Sequence, residues 1–156
     1  MSNSKQLDEA GLSCRSMALA DLDQVLEIEA QVSVAPWSRR NFESSLHSHN
    51  QCWVLYKNND LVGYAVLSLV ADEAELLLIG ITREAQGHGF GRLLLLHILD
   101  CAQKLNARAV FLEVRASNDV AQGLYASEGF NEVGVRPAYY PAKKGREDAV
   151  IMALEF

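Results

Sequence analysis

The chain has 156 residues, near the roughly 150-residue prior for one domain, and its 17.2 kDa scales to about 7,800 Å² folded against about 25,000 Å² unfolded, a core that needs no metal or disulfide staples. Residues of the AVILMFWYC set make up 49% and charged residues 22%, with three prolines, which excludes disordered, collagenous and low-complexity chains. Fourteen Lys and Arg against twenty Asp and Glu give a net charge of −6, opposite to the surplus that a nucleic-acid binder needs to neutralise phosphates.

Residues 1–12 read as a flexible leader, and residues 13–156 as a single domain. The leader lacks a basic stretch followed by an apolar one, so it does not read as a secretory signal, and the expected location is the cytoplasm. The run Leu22, Val25, Leu26, Glu29 has helical spacing, with Asp21 and Asp23 at the positive end of the dipole. A second helix starts at Ser38, whose hydroxyl caps the first turn while Trp37 and Phe42 form a hydrophobic staple, and ends near His47. Cys52–Lys57 and Leu61–Val70 are rich in β-formers and flank Asn58-Asn59-Asp60, which predicts a hairpin. A third strand covers Ala74–Thr82. Apolar runs such as Leu61–Ala71 fall well short of the roughly 18 residues of a membrane span.

The pattern then changes. Gly87, Gly89 and Gly91 precede a helix carrying Leu93, Leu94, Leu96, Ile98, Leu99, Ala102 and Leu105, with Asn106 as its stop. Ala109–Arg115 is a fourth strand, Asn118 caps a helix running to Ser127, Gly129 ends it, and Phe130–Ala138 and Asp148–Phe156 are the last two strands. Strand, glycine loop, helix and strand form a crossover unit, so the third and fourth strands are expected to be parallel neighbours. The fold class is α/β: a twisted mixed sheet with helices on both faces.

Within Gln86-Gly87-His88-Gly89-Phe90-Gly91-Arg92 the glycines strip side chains from a helix start, leaving unpaired N–H groups at the positive dipole end, where an anion binds. A Walker loop needs a Lys that this segment lacks. A dinucleotide loop needs a glycine where Arg92 stands and must follow its strand directly. Gln86, Gly89 and Gly91 fit instead the coenzyme A loop of the GNAT acetyltransferases, although a ligand-free glycine-rich helix start fits as well.

The segments Ala35-Pro36-Trp37-Ser38, Leu112-Glu113-Val114-Arg115-Ala116-Ser117-Asn118, Leu124-Tyr125, Gly129-Phe130-Asn131-Glu132, Tyr139-Tyr140-Pro141 and Gly145-Arg146-Glu147-Asp148-Ala149-Val150-Ile151-Met152-Ala153-Leu154 widen that likeness to about residues 14–156. The chain resembles the bacterial RimI type of ribosomal-protein-alanine N-acetyltransferase within the GNAT family. The resemblance implies the GNAT acyl-CoA N-acyltransferase fold and transfer of acetyl from acetyl-CoA to the N-terminal alanine of small-subunit ribosomal protein eighteen. It implies further that the pantetheine arm lies along Ile79, Gly80 and Ile81, that Gly87, His88, Gly89, Phe90, Gly91 and Arg92 cradle the diphosphate, and that Asn118 contacts the coenzyme. A plain helix cap is the other reading of Asn118.

Such a transfer needs a held thioester, a neutral amine and a proton for the departing thiolate. Glu113 lies in a strand whose two faces are otherwise apolar, so its carboxylate requires a purpose or a partner. It is the candidate general base, with an ion pair to a nearby Arg as the alternative. An α-amine titrates near 8, within a carboxylate's reach, whereas a lysine near 10.4 is harder. Tyr125 reads on spacing alone as a core residue; the resemblance makes it the acid that protonates the thiolate. His97 and Cys101 stand four apart on an apolar helix and read as core, not as a catalytic pair. Cys14, Cys52 and Cys101 read as free thiols, and His47 with His49 lack further ligands, so no metal is expected.

The remaining expectations are a monomer without nucleic-acid or membrane partners. Residues 1–80 hold 11 acids and 5 bases while residues 81–156 hold 9 of each, so the acidic excess could steer a basic protein tail or be only a solvated face. Other open readings are acetylation of a lysine or polyamine, and a coenzyme-binding regulatory module without catalysis.

Overall fold

A computed structural model of the chain describes residues 3–156. In chain order the elements are α1 (Asn3–Glu9), β1 (Leu12–Ser16), α2 (Leu22–Val32), α3 (Arg39–Leu46), β2 (Gln51–Lys57), β3 (Asp60–Val70), β4 (Glu73–Ile81), α4 (Phe90–Lys104), β5 (Ala109–Arg115), α5 (Asp119–Ser127), β6 (Asn131–Pro141) and β7 (Arg146–Glu155), with short 3₁₀ turns before α2 and after β4. The seven strands form one sheet in the order β1-β2-β3-β4-β5-β7-β6. β4 and β5 are parallel and every other pair is antiparallel, as the crossover argument requires. No helix among the described residues is long and apolar enough to cross a membrane.

Alternation along the strands sends one set of side chains to each face. One face carries Leu55, Ala65, Leu67, Leu76, Val110 and Leu112 against Leu94, Leu95, Ile98 and Ala102 of α4. The other carries Val54, Tyr64 and Val66 against Leu22, Val25 and Ile28 of α2 and Phe42 of α3. The predicted caps form. Ser38 Oγ accepts from Asn41 N at 3.2 Å while Asn41 Oδ1 accepts from Ser38 N at 3.0 Å, and Trp37 meets Phe42 edge-on at 5.2 Å. Asn106 has φ +67°, and the bonds Ala107 N to Ala102 O and Asn106 N to Gln103 O, both 3.0 Å, close a Schellman stop on α4.

Four sequence expectations are corrected. Asn3–Glu9 of the expected flexible leader form a helix whose Leu7 is 5% exposed in the main core; residues 1 and 2 lie outside the described residues. Leu12–Ser16 form an edge strand on β2, too short and mixed for periodicity to show. Asp21 does not serve the α2 dipole alone: it accepts from Ala18 N at 2.8 Å and pairs with Arg15 at 2.7 Å, and Arg15 holds its carboxyl below the usual range. The β6–β7 connection shrinks to residues 142–145, because the strands pair again at Tyr140–Glu147 and Pro141–Arg146 after a bulge.

Candidate functional site

β4 and β5 pair only from Glu73–Ala109 to Leu76–Leu112. At that point Leu77 drops out of register with β3, where Leu67 faces Leu76 and Val66 faces Leu78. A bulge bends its strand and raises the local twist, so β4 turns away from β5 and the sheet opens as a fork. Two clefts fill the opening. One, of about 460 Å³, runs along Ile79, Gly80 and Ile81 to Gly87, Gly89, Phe90 and Gly91. The other, of about 300 Å³, lies between the loop Ser33–Trp37 and Tyr140. Ile79, Asn118, Ala121 and Tyr125 border both.

The first cleft is built from main chain. Gly87 and Gly89 have φ of +82° and +81°, and a Cβ on either would meet nothing within 4 Å. Their requirement is therefore backbone conformation and open approach. The first bond of α4 runs from Leu93 N to Gly89 O at 3.1 Å, and among the described residues no backbone acceptor serves the N–H groups from Gly87 to Arg92. Fifteen residues of α4, with no acid in the first turn, put the positive dipole end at these donors. This cradle fits a diphosphate. Gly80 has a different duty: a Cβ there would lie 2.4 Å from the Tyr64 hydroxyl oxygen.

Two predicted cradle residues have side-chain contacts within the protein. The His88 ring packs on Phe90 at 5.7 Å. Arg92 donates to Ser127 Oγ at 3.0 Å and pairs with Glu128. Asn118 is the predicted cap, Oδ1 accepting from Ala121 N at 3.1 Å, while it borders both clefts, so the cap and the coenzyme-contact readings remain compatible.

The second cleft is built from side chains. Glu113 and Tyr125 line it together, Glu113 from β5 and Tyr125 from α5. The Glu113 side chain is 16% exposed and has the arginine partner that was its alternative reading: Arg136 Nε lies 2.6 Å from its Oε1. Tyr125 is 7% exposed and packs on Phe130 at 5.7 Å. Burial, helped by Tyr140, pushes its phenol up to about 12. Burial and the Glu113 charge push Tyr140 up to about 12 as well, and the Glu113 carboxylate raises Tyr139. Tyr125 and Tyr140, which line this cleft, are protonated at neutral pH.

The sequence matches the model of the acetyltransferase (GNAT) family over residues 22–130. It is 40% identical to the [ribosomal protein bS18]-alanine N-acetyltransferase of Escherichia coli K12 over 89% of this chain and 94% of that one. The chain belongs to the GNAT acetyltransferase family. It is also 36% identical to the putative enzyme of that name from Bacillus subtilis, over 88% of this chain and 91% of the other. The crystal structure of the Escherichia coli ribosomal-protein-S18-alanine N-acetyltransferase superposes with a TM-score of 0.88 at 39% identity, covering 92% of this chain and 93% of that one.

In this GNAT N-acetyltransferase the walls of the second cleft are tied by residues that sequence reasoning did not assign to a site. Arg115 Nη1 donates to Pro141 O and to Glu147 Oε1, both at 2.7 Å, and its guanidinium lies 4.5 Å from the Tyr140 ring centre. Arg115 thereby holds the Glu147 carboxyl below its usual range and ties the β6–β7 arm to β5. Glu29 is 2% exposed; it accepts from Tyr64 Oη at 2.7 Å and Trp37 N at 2.8 Å, fixing the loop that walls the cleft. A buried acid on an apolar helix face was the available signal for Glu29; Arg115 and Glu147 stood within the segments that carry the resemblance, and Arg136 gave no signal.

His97 Nε2 lies 3.6 Å from Cys101 Sγ and its ring is edge-on to Trp53 at 5.9 Å, away from the fork. The three cysteines are free; Cys52 is buried while Cys14 and Cys101 are half-buried, and burial raises all three thiols. Among the described residues no group of three or more His, Cys, Asp and Glu side chains is placed to hold a metal ion.

Proposed function

We propose that this enzyme transfers acetyl from acetyl-CoA to the α-amine of an N-terminal alanine, on ribosomal protein bS18, by direct transfer within a ternary complex. The observation that carries the substrate assignment is the 40% identity spanning 94% of the Escherichia coli enzyme of that activity. Bound acetyl-CoA supplies the acetyl thioester and, after transfer, a thiolate that needs a proton. Residues Gly87–Arg92 hold the diphosphate through backbone N–H groups, and Ile79–Ile81 run beside the arm on the edge of β4 that β5 has left. Glu113, directly or through water, takes the proton of an α-amine that titrates near 8. Tyr125, protonated because burial disfavours the phenolate, donates to the sulfur. Asn118 caps α5 and contacts the coenzyme with its amide nitrogen.

The pairing of roles is supported by the shared cleft, since acid and base reach one reacting centre only if they border one space. The fork supports the route: coenzyme and peptide enter from separate clefts that meet at Ile79 and Tyr125. The test is incubation with acetyl-CoA and peptides beginning with Ala, Gly or blocked Ala, each with an internal Lys, followed by mass spectrometry. Label on the free Ala amine is expected. Label on the lysine of the blocked peptide would transfer the assignment to a lysine acetyltransferase.

A further inference from the structure

We propose that Arg136 is a positioning residue that orients the Glu113 carboxylate toward the acceptor amine. Arg136 Nε meets Glu113 Oε1 at 2.6 Å, a charge-assisted contact whose direction is fixed by the planar guanidinium. The side from which it arrives matters. Glu113 borders both the cleft it shares with Tyr125 and a neighbouring groove of about 270 Å³ on the sheet. Arg136 borders that groove, beside Ser68, Glu75 and Phe111, and neither cleft of the fork. The cation therefore grips the carboxylate from the side away from Tyr125 and leaves the other side for the amine.

The grip is itself held. Arg136 pairs with Ala149 of β7, and the chain bulges immediately after it. The bulge is fastened by Asp148 Oδ1, which accepts from Ala138 N at 2.9 Å, and by Arg146, which donates to Ala138 O at 2.7 Å and Tyr139 O at 2.8 Å. The Tyr139 ring lies 5.5 Å from the guanidinium. A glutamate without such a partner samples several rotamers, and a base aimed by a third group is the arrangement that nucleophile and base pairs use elsewhere. Arginine suits the task because it stays charged at working pH and cannot exchange the proton that Glu113 must accept.

This inference rests on Glu113 being the base, and the experiment separates the two. Steady-state kinetics with an N-terminal-Ala peptide are measured for Arg136→Ala, Arg136→Gln and Arg136→Lys, each also in the Glu113→Gln background, with acetyl-CoA titration reporting the folded state. Arg136→Ala is expected to lower kcat about tenfold or more, since a misplacement of about 1 Å costs up to about a hundredfold. Arg136→Lys is expected to recover part of the loss, acetyl-CoA affinity to stay unchanged, and Arg136→Ala to slow Glu113→Gln no further. Arg136 lies on an edge strand with its side chain 57% exposed, and Arg136→Gln repeats the test with closer shape. Undiminished kcat in Arg136→Ala alongside a slow Glu113→Gln overturns the orienting role alone, as do losses that multiply in the double variant. Wild-type turnover by Glu113→Gln overturns the base assignment and this inference with it.

Discussion

The wall of the fork formed by the end of β4 and the start of α4 offers main-chain N–H groups, whereas the wall formed by β5, β6 and β7 offers side chains. In the first wall Gly87 and Gly89 take left-handed conformations with open space around them, the His88 ring packs on Phe90, and the Arg92 side chain is engaged with Ser127 and Glu128. In the second, Glu113, Arg136, Tyr139, Tyr140, Arg115 and Glu147 form a chain of charged and aromatic contacts across three strands. In the proposed reaction the main-chain cradle grips the part of the ligand that does not change. A side-chain wall can hold groups whose protonation does change, which is what proton transfer requires.

The contrast can be broken by single substitutions, beginning with the largest effect. Glu113→Gln is expected to lower kcat by about 10²–10⁴-fold, the range of general acid–base catalysis, with acetyl-CoA affinity unchanged by calorimetry. Tyr125→Phe is expected to cost about a hundredfold in kcat on the same scale, again with coenzyme affinity retained. Its pH behaviour follows from burial. Burial pushes the folded phenol up to about 12 against about 10 in an unfolded chain, so the proposed acid keeps its proton through neutral pH and above. Below about pH 10 both states are protonated and the fold is at full strength; as pH rises through 10 to 12 the unfolded state ionises first and stability is lost. Tyr125→Phe should remove that part of the alkaline loss in a melting series over pH 9–12.

Two changes in the other wall sharpen the comparison. Gly89→Val places a β-branched residue at φ +81°, a conformation that costs on the order of 1–3 kcal/mol, and is expected to weaken acetyl-CoA binding about tenfold or more while kcat at saturation changes less. Arg92→Ala is the smallest effect. Its guanidinium is engaged with Ser127 and Glu128 at the surface, where a pair contributes about 1 kcal/mol at most, so calorimetry should find acetyl-CoA affinity within about fivefold of wild type. A larger loss would mean that the side chain, not the backbone, carries the phosphate contact.

The two walls also differ in how far the chain reveals them before it folds. The glycine loop, the Ser38 and Asn118 caps and the Asn106 stop are settled by residues within four or five positions, so their signals survive in the linear sequence. The crossover from β4 to β5 is likewise legible, because strand, glycines and a long apolar helix leave one handedness. Asn3–Glu9 were missed because a helix of seven residues is set by docking Leu7 into the core, not by its own pattern. The short edge strand Leu12–Ser16 depends in the same way on its partner β2. Glu113 was noticeable as a charge among apolar neighbours, but its partner Arg136 is 23 positions away and on another strand.

What the sequence determined by itself is the order of elements from α2 onward, the open main-chain donors at the start of α4 and the acidic and phenolic residues that could exchange protons. Only the tertiary structure decided where β4 leaves β5, that Glu113 and Tyr125 share the resulting cleft, and which cation stands behind the carboxylate. The division has a physical cause. Caps, turns and helix starts are stabilised by bonds among near neighbours in the chain, while a fork between strands and an ion pair across a sheet exist only after distant segments have paired, and pairing is fixed by the packing of the whole core.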